Sequence, residues 1–200
     1  MQVLRLNGKV IIGIDLAGKE ENPTGLAILK GKGVRTCLIY TNREILESII
    51  REKPRIVAID APLRLPKSGI FRKADKELIK KGYQVFPPGL PAMKTLTLRA
   101  IELNRLITER GIQTIEVHPT STRKALNMPA KDWKEIQGIL KCIGLKGSLS
   151  ERALAPHELD AITAAITGYL HMRGLTEILG DGEEGFIVVP IRQDWRRLKL

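Results

Sequence analysis

With 200 residues, the chain is long enough to bury the core of one domain, and its 43% hydrophobic and 28% charged residues are typical of a folded globular protein. Lysine and arginine number 33 against 22 acidic residues, and this net charge of +11 favours a polyanionic partner such as nucleic acid, although a solvated basic surface gives the same count. No apolar stretch is long enough to span a membrane and the first residues do not resemble a signal peptide, so we expect a cytoplasmic protein without a membrane partner. The two cysteines, Cys37 and Cys142, have no metal-binding or redox spacing and are predicted to be reduced, buried and structural.

The first third of the chain predicts a meander of three antiparallel strands, because a Gly-Lys-Gly turn joins the second apolar run to the third. The strands are expected at Val10–Leu16, Gly25–Lys30 and Val34–Thr41. A helix over Arg43–Glu52, capped by Asn42, leads to a strand over Arg55–Asp60. A strand-helix-strand return is normally a right-handed crossover, so this fourth strand is predicted to lie parallel to the first.

The segment from Leu63 to Met93 differs in composition from the rest, because it is rich in proline and glycine, and we interpret it as an insertion at the surface. It contains a basic helix over Arg72–Lys81, which is either a nucleic-acid-binding wall or a solvated helix face. Its candidate nucleic-acid-binding residues are Arg72, Lys73, Lys76, Lys80 and Lys81.

The remaining chain alternates helices with two further strands, which completes an α/β domain over residues 1–200 with the insertion inside it. The predicted elements are helices at Thr95–Arg110, Ser121–Leu126, Lys131–Ile143 and Pro156–Met172, and strands at Gln113–His118 and Phe186–Pro190.

Acidic residues follow or interrupt the buried strands: Asp15 ends the first, Asp60 ends the fourth and Glu116 lies in the fifth. Ligands collect at the carboxyl ends of parallel strands, and carboxylates brought together there repel one another unless a cation lies between them. His157 and Asp160 are three residues apart and therefore share one helix face. Simpler explanations remain open: a turn residue for Asp15, a strand exit for Asp60, a water-facing charge for Glu116 and an idle surface residue for His157.

Four motifs resemble the RuvC- and YqgF-like branch of the ribonuclease H-like superfamily, and in particular an uncharacterised family of predicted nucleases. One departure concerns Asp60, because RuvC-type enzymes usually carry Glu at that position. The motifs are Gly13–Gly18 followed by Thr24-Gly25, Val57–Leu63, Ile115–Pro119 and His157–Ala165.

The resemblance implies a mixed sheet, with the antiparallel meander and parallel strands flanked by helices, and a nuclease with two Mg²⁺ or Mn²⁺ ions. The resemblance implies that Asp15 bridges the ions, while Asp60 binds one ion and Asp160 the other. His157 would bind the second ion or accept a proton. Glu116 belongs to the same catalytic set. A non-catalytic nucleic-acid-binding module is the main alternative. A phosphotransferase of the actin and sugar-kinase type would need two such domains. Oligomeric state is left open, with a homodimer as one option.

Overall fold

The computed structural model describes residues 8–129 and 132–198. Within these ranges eight strands form one sheet, and seven helices lie around it. The strands are β1 Val10–Asp15, β2 Thr24–Lys30, β3 Gly33–Ile39, β4 Ile56–Asp60, β5 Gln113–Val117, β6 Lys146–Gly147, β7 Thr176–Asp181 and β8 Gly185–Pro190. The helices are α1 Asn42–Glu52, α2 Lys73–Lys80, α3 Pro91–Thr108, α4 Pro119–Ala125, α5 Trp133–Cys142, α6 Ser148–Glu151 and α7 Pro156–Met172.

The strands are ordered β6-β3-β2-β1-β4-β5-β8-β7 across the sheet. The first three form the predicted antiparallel meander, and β4 pairs with β1 in the predicted parallel direction. Strands β5 and β8 continue the parallel half, while β7 returns antiparallel to β8 at the sheet edge. The carboxyl ends of β1, β4, β5 and β8 therefore share one edge of the sheet.

Helix α7 packs unusually close to the sheet because two glycines leave room for its backbone. A Cβ atom at Gly13 would lie 2.0 Å from the carbonyl oxygen of Ala161, and one at Gly25 would lie 2.0 Å from that of His157. Neither distance is compatible with van der Waals contact, so both positions require glycine. The close approach fixes the first turn of α7 against the ends of β1 and β2.

Helices α1 and α3 cover the opposite face of β1, β2 and β4, where the apolar residues of those strands form a second core. The sequence placed the N-cap of α1 at Asn42, and that assignment is wrong by one residue. Thr41 is the cap, because its hydroxyl accepts the Glu44 N–H while the Glu44 carboxylate accepts the Thr41 N–H. Asn42 instead accepts a hydrogen bond from Arg99 of α3.

The structure also differs from expectation in the second half of the chain. Helix α3 begins at Pro91 rather than Thr95, because proline is well suited to the first helical turn. Helix α4 likewise begins at Pro119, and strands β6 and β7 and helix α6 were not predicted. The predicted start of one helix, Lys131, lies outside the described residues.

Both cysteine side chains lie at the surface, so the prediction that they are buried is wrong. Cys37 is on β3, which lies near the edge of the sheet, and Cys142 is the last residue of α5. None of the helices in the described ranges has the length and apolar character needed to cross a membrane.

Candidate active site

Asp15 and Asp60 lie side by side at the carboxyl-end edge of the sheet. They are register partners at the last positions of β1 and β4, and both side chains are half-buried. The loop after Asp15 is fixed from two sides, because the Ala17 N–H donates to the Thr24 hydroxyl and the Ala17 carbonyl accepts from Arg99. The strand pairing therefore determines the distance between the two aspartates.

Asp60 has no hydrogen bond or ion pair among the residues that the structure describes. Burial raises the pKa of its carboxyl well above the usual value, and the neighbouring charges of Asp15 and Asp160 raise it further. An unpaired carboxylate in such surroundings is unfavourable in the protein alone. A cation placed next to it would remove that cost.

Helix α7 delivers two polar side chains to the same edge. Nδ1 of His157 lies 2.6 Å from Oδ2 of Asp15, and this hydrogen bond raises the pKa of the imidazole. Asp160, one turn further along α7, forms an ion pair with the guanidinium of Arg123 from α4. Burial raises the pKa of Asp160, although Arg123 opposes the shift. Three of the predicted carboxylates and His157 are thus brought into one cluster.

Glu116 does not join this cluster because it lies on the other face of the sheet. Its neighbours Ile115 and Val117 pack in the core beneath α7, so Glu116 projects to the opposite face. There it is buried, and it accepts a hydrogen bond of 2.8 Å from Nη1 of Arg72. Glu116 also lines the cavity beside Asp15 and Asp60, but its carboxylate is bonded to the buried Arg72, and we leave it out of the proposed catalytic group.

Arg72 is buried as well, which contradicts its assignment to an exposed basic face. Its guanidinium is 1% exposed and is bonded to both Glu116 and Asp75. Burial disfavours the charged form, but the bonds to the two carboxylates outweigh it and raise the pKa of Arg72. Arg72 therefore anchors the segment 63–93 to β5, and its guanidinium is too buried to contact a nucleic acid from this position.

The other four predicted basic residues are exposed, but they differ in their partners. Lys73 lies 3.8 Å from Asp181 and Lys81 lies 2.5 Å from Glu177, so acids of β7 compensate both charges. Lys76 and Lys80 form no ion pair within the described ranges. They are the two members of the predicted set whose charge remains available to a polyanion.

A cavity of about 240 Å³ opens beside Asp15 and Asp60. Phe86, a residue that is 76% exposed, supplies part of its wall, and α3 contributes Met93 and Leu96. The apolar wall faces a polar side that includes both aspartates. Residues of the segment 63–93 thus border the candidate site, and of the five basic residues predicted to form its wall only Arg72 lines this cavity.

The donor set fits a hard divalent cation in part. Asp15 and Asp60 offer adjacent carboxylate oxygens, which are the ligands that Mg²⁺ and Mn²⁺ prefer. Yet no three His, Cys, Asp or Glu side chains in the described ranges are arranged to hold a metal ion. In this structure Asp160 is engaged by Arg123, and His157 is bonded to Asp15.

Residues 13–184 match a family of proteins of unknown function, DUF429. The chain belongs to the DUF429 family. No curated protein matches the sequence. Among solved structures, RuvC of T. thermophilus in complex with a Holliday junction substrate is similar to this DUF429 chain, with a TM-score of 0.53 and 19% identity over 83% of this chain and 96% of that one. A second Thermus thermophilus RuvC structure has a TM-score of 0.49 and 21% identity over 82% and 96% of the two chains.

The similarity to the junction-bound RuvC establishes the fold of this DUF429 protein, which is the ribonuclease H-like fold expected from the sequence. The mixed sheet and the helices on both faces agree with it. At this level of identity the similarity says nothing about activity.

Proposed function

We propose that this protein is a divalent-metal-dependent nuclease that hydrolyses phosphodiester bonds in nucleic acid. The observation that carries the proposal is the register pairing of Asp15 with Asp60, with His157 bonded to Asp15 from α7. Carboxylates forced together at the ligand-binding edge of a sheet destabilise the free protein. Their presence there is explained if they hold a cation during the reaction.

Asp15 and Asp60 would hold Mg²⁺ or Mn²⁺. When bound, such an ion supplies Lewis-acid stabilisation of the charge on phosphate and lowers the pKa of a water molecule. His157 is the general-base candidate, because its Nδ1 is bonded to Asp15 and its Nε2 is left to exchange a proton. Its raised pKa lies above the ordinary value for histidine, which is already near neutrality. The two-ion mechanism that the sequence resemblance implies would need Asp160 as a ligand of the second ion.

The charge distribution supports nucleic acid as the substrate. The net charge is +11, and Lys76 and Lys80, which form no ion pair in the described ranges, lie on α2, which packs on β7 and β8. Strand β8 ends at the same sheet edge as Asp60, two strands and therefore about 10 Å away. A phosphate backbone bound at the aspartates could continue across this edge. The similar RuvC is bound to a Holliday junction substrate, which makes branched DNA one substrate to test.

The test is cleavage of labelled DNA, RNA, hybrid and four-way-junction substrates in Mn²⁺. We expect cleavage that leaves 5′-phosphate ends and that is almost abolished in Asp15→Asn and Asp60→Asn, with nucleic-acid binding retained. Glu183→Gln is the matched control, because it removes one negative charge at the exposed β7–β8 hairpin. If the wild type binds these substrates and cuts none with any divalent ion, the non-catalytic alternative is correct.

A further inference from the structure

Arg123 is the most unusual charged residue outside the predicted site. It is 1% exposed, and it lies under the ring of Trp133 with its guanidinium carbon 5.3 Å from the ring centre. Charged side chains are rarely this buried unless a partner compensates them. Its partner is Asp160, one of the three aspartates of the cluster.

The ion pair with Asp160 does not use all the hydrogen-bond donors of Arg123. Nη2 lies 3.3 Å from the Thr120 hydroxyl, and Nη1 bonds Asp160, but Nε has no hydrogen-bond partner in the described part of the chain. A buried N–H without an acceptor is unfavourable. The guanidinium therefore retains a donor for an acceptor that the described chain does not supply, such as a phosphate oxygen.

The charges of the cluster argue for a single metal ion. Three carboxylates are balanced by one guanidinium together with one divalent ion. A second divalent ion would leave a surplus of two positive charges and would have to lie near Arg123, whose guanidinium already occupies the Asp160 carboxylate. Like charges at such short range repel strongly where water is excluded.

We propose, building on the proposed nuclease function, that Arg123 takes the place of a second divalent ion. It neutralises and positions Asp160, which leaves Asp15 and Asp60 to hold one ion. Arg123 is in this sense a positioning residue, and Asp160 is its anchor rather than a metal ligand. The site thereby differs from the two-ion arrangement that the sequence resemblance implies.

The decisive measurement is the number of Mn²⁺ ions bound per chain. The metal-free protein is titrated with Mn²⁺ alone, and the bound ions are counted by calorimetry or from the electron paramagnetic resonance signal of free Mn²⁺. We expect one ion for the wild type, and one ion with a dissociation constant changed less than about 3-fold in Asp160→Asn. Arg123→Gln should bind two ions, because it frees the Asp160 carboxylate. The double variant Arg123→Gln/Asp160→Asn should bind one again.

Two ions in the wild type, or loss of an ion in Asp160→Asn, would overturn the role of Arg123 while leaving metal dependence intact. No Mn²⁺ binding by the wild type would instead refute the metal dependence of the proposed function. The wild-type count keeps the test valid if neither single variant folds, because it alone distinguishes one bound ion from two.

Discussion

Neutralising Asp60 should stabilise the metal-free protein. Its carboxylate has no ion pair among the described residues, and its register partner on the next strand is Asp15. Neighbouring strands lie about 5 Å apart, and two carboxylates at roughly that distance repel by about 3 kcal/mol at an effective dielectric constant of about 20. Attraction from Arg123 offsets part of this. We therefore expect Asp60→Asn to add about 1 to 3 kcal/mol to the free energy of unfolding, or roughly 3 to 10 °C in Tm.

The stabilisation that Asp60→Asn gives to the metal-free protein should increase with pH. The pKa of Asp60 is raised in the folded protein, so its unfavourable contribution is absent below the unfolded pKa of about 4 and grows as the pH rises through the folded value. The advantage of Asp60→Asn should therefore be greatest near pH 8 and vanish near pH 4. With Mn²⁺ added, the wild type should become more stable than Asp60→Asn, because only the wild type gains stability from bound metal.

The assay is thermal unfolding followed by circular dichroism between pH 4 and pH 8.5, in EDTA and then in Mn²⁺, at constant ionic strength. Glu183→Gln makes the same change in net charge at an exposed site and should shift Tm little. A lower Tm for Asp60→Asn in EDTA at pH 8 would refute the reasoning, because it would mean that the carboxylate is a structural hydrogen-bond acceptor.

Two further outcomes test the scaffold and the basic surface. Gly25→Ala would place a Cβ 2.0 Å from the His157 carbonyl oxygen, so we expect a loss of about 1 to 3 kcal/mol and a fall of the His157 pKa by NMR, whereas Gly182→Ala, in open space, should change neither. Reversing Lys76 and Lys80 to Glu should weaken nucleic-acid binding and lower its salt dependence without altering the number of Mn²⁺ ions bound; unchanged affinity would identify α2 as a solvated face.

Six of the eight strands in the described ranges, and the pairing of Asp15 with Asp60, were predictable because they depend on local patterns. Apolar runs define β1 and β4, and the crossover rule makes them parallel neighbours. Small residues in α7, namely Ala161, Ala164 and Ala165, are a local feature of the sequence that permits its close packing on the sheet. The burial of Arg123 and Arg72 was not predictable, because Arg123 pairs with a carboxylate 37 residues away and Arg72 bonds one 44 residues away in addition to the nearby Asp75. One signal in the sequence was the excess of acidic residues in the cluster, because clustered carboxylates need a compensating cation such as a buried arginine.

The bond between Arg72 and Glu116 links the segment 63–93 to the fifth strand, and it sets a condition on any shortened version of this chain. Deleting residues 63–93 would remove the only cation bonded to Glu116 among the described residues and leave a carboxylate buried in the middle of the sheet. A compact ribonuclease H-like protein built from this scaffold would therefore need an uncharged residue at position 116. The segment 63–93 and the residue at position 116 therefore have to be changed together.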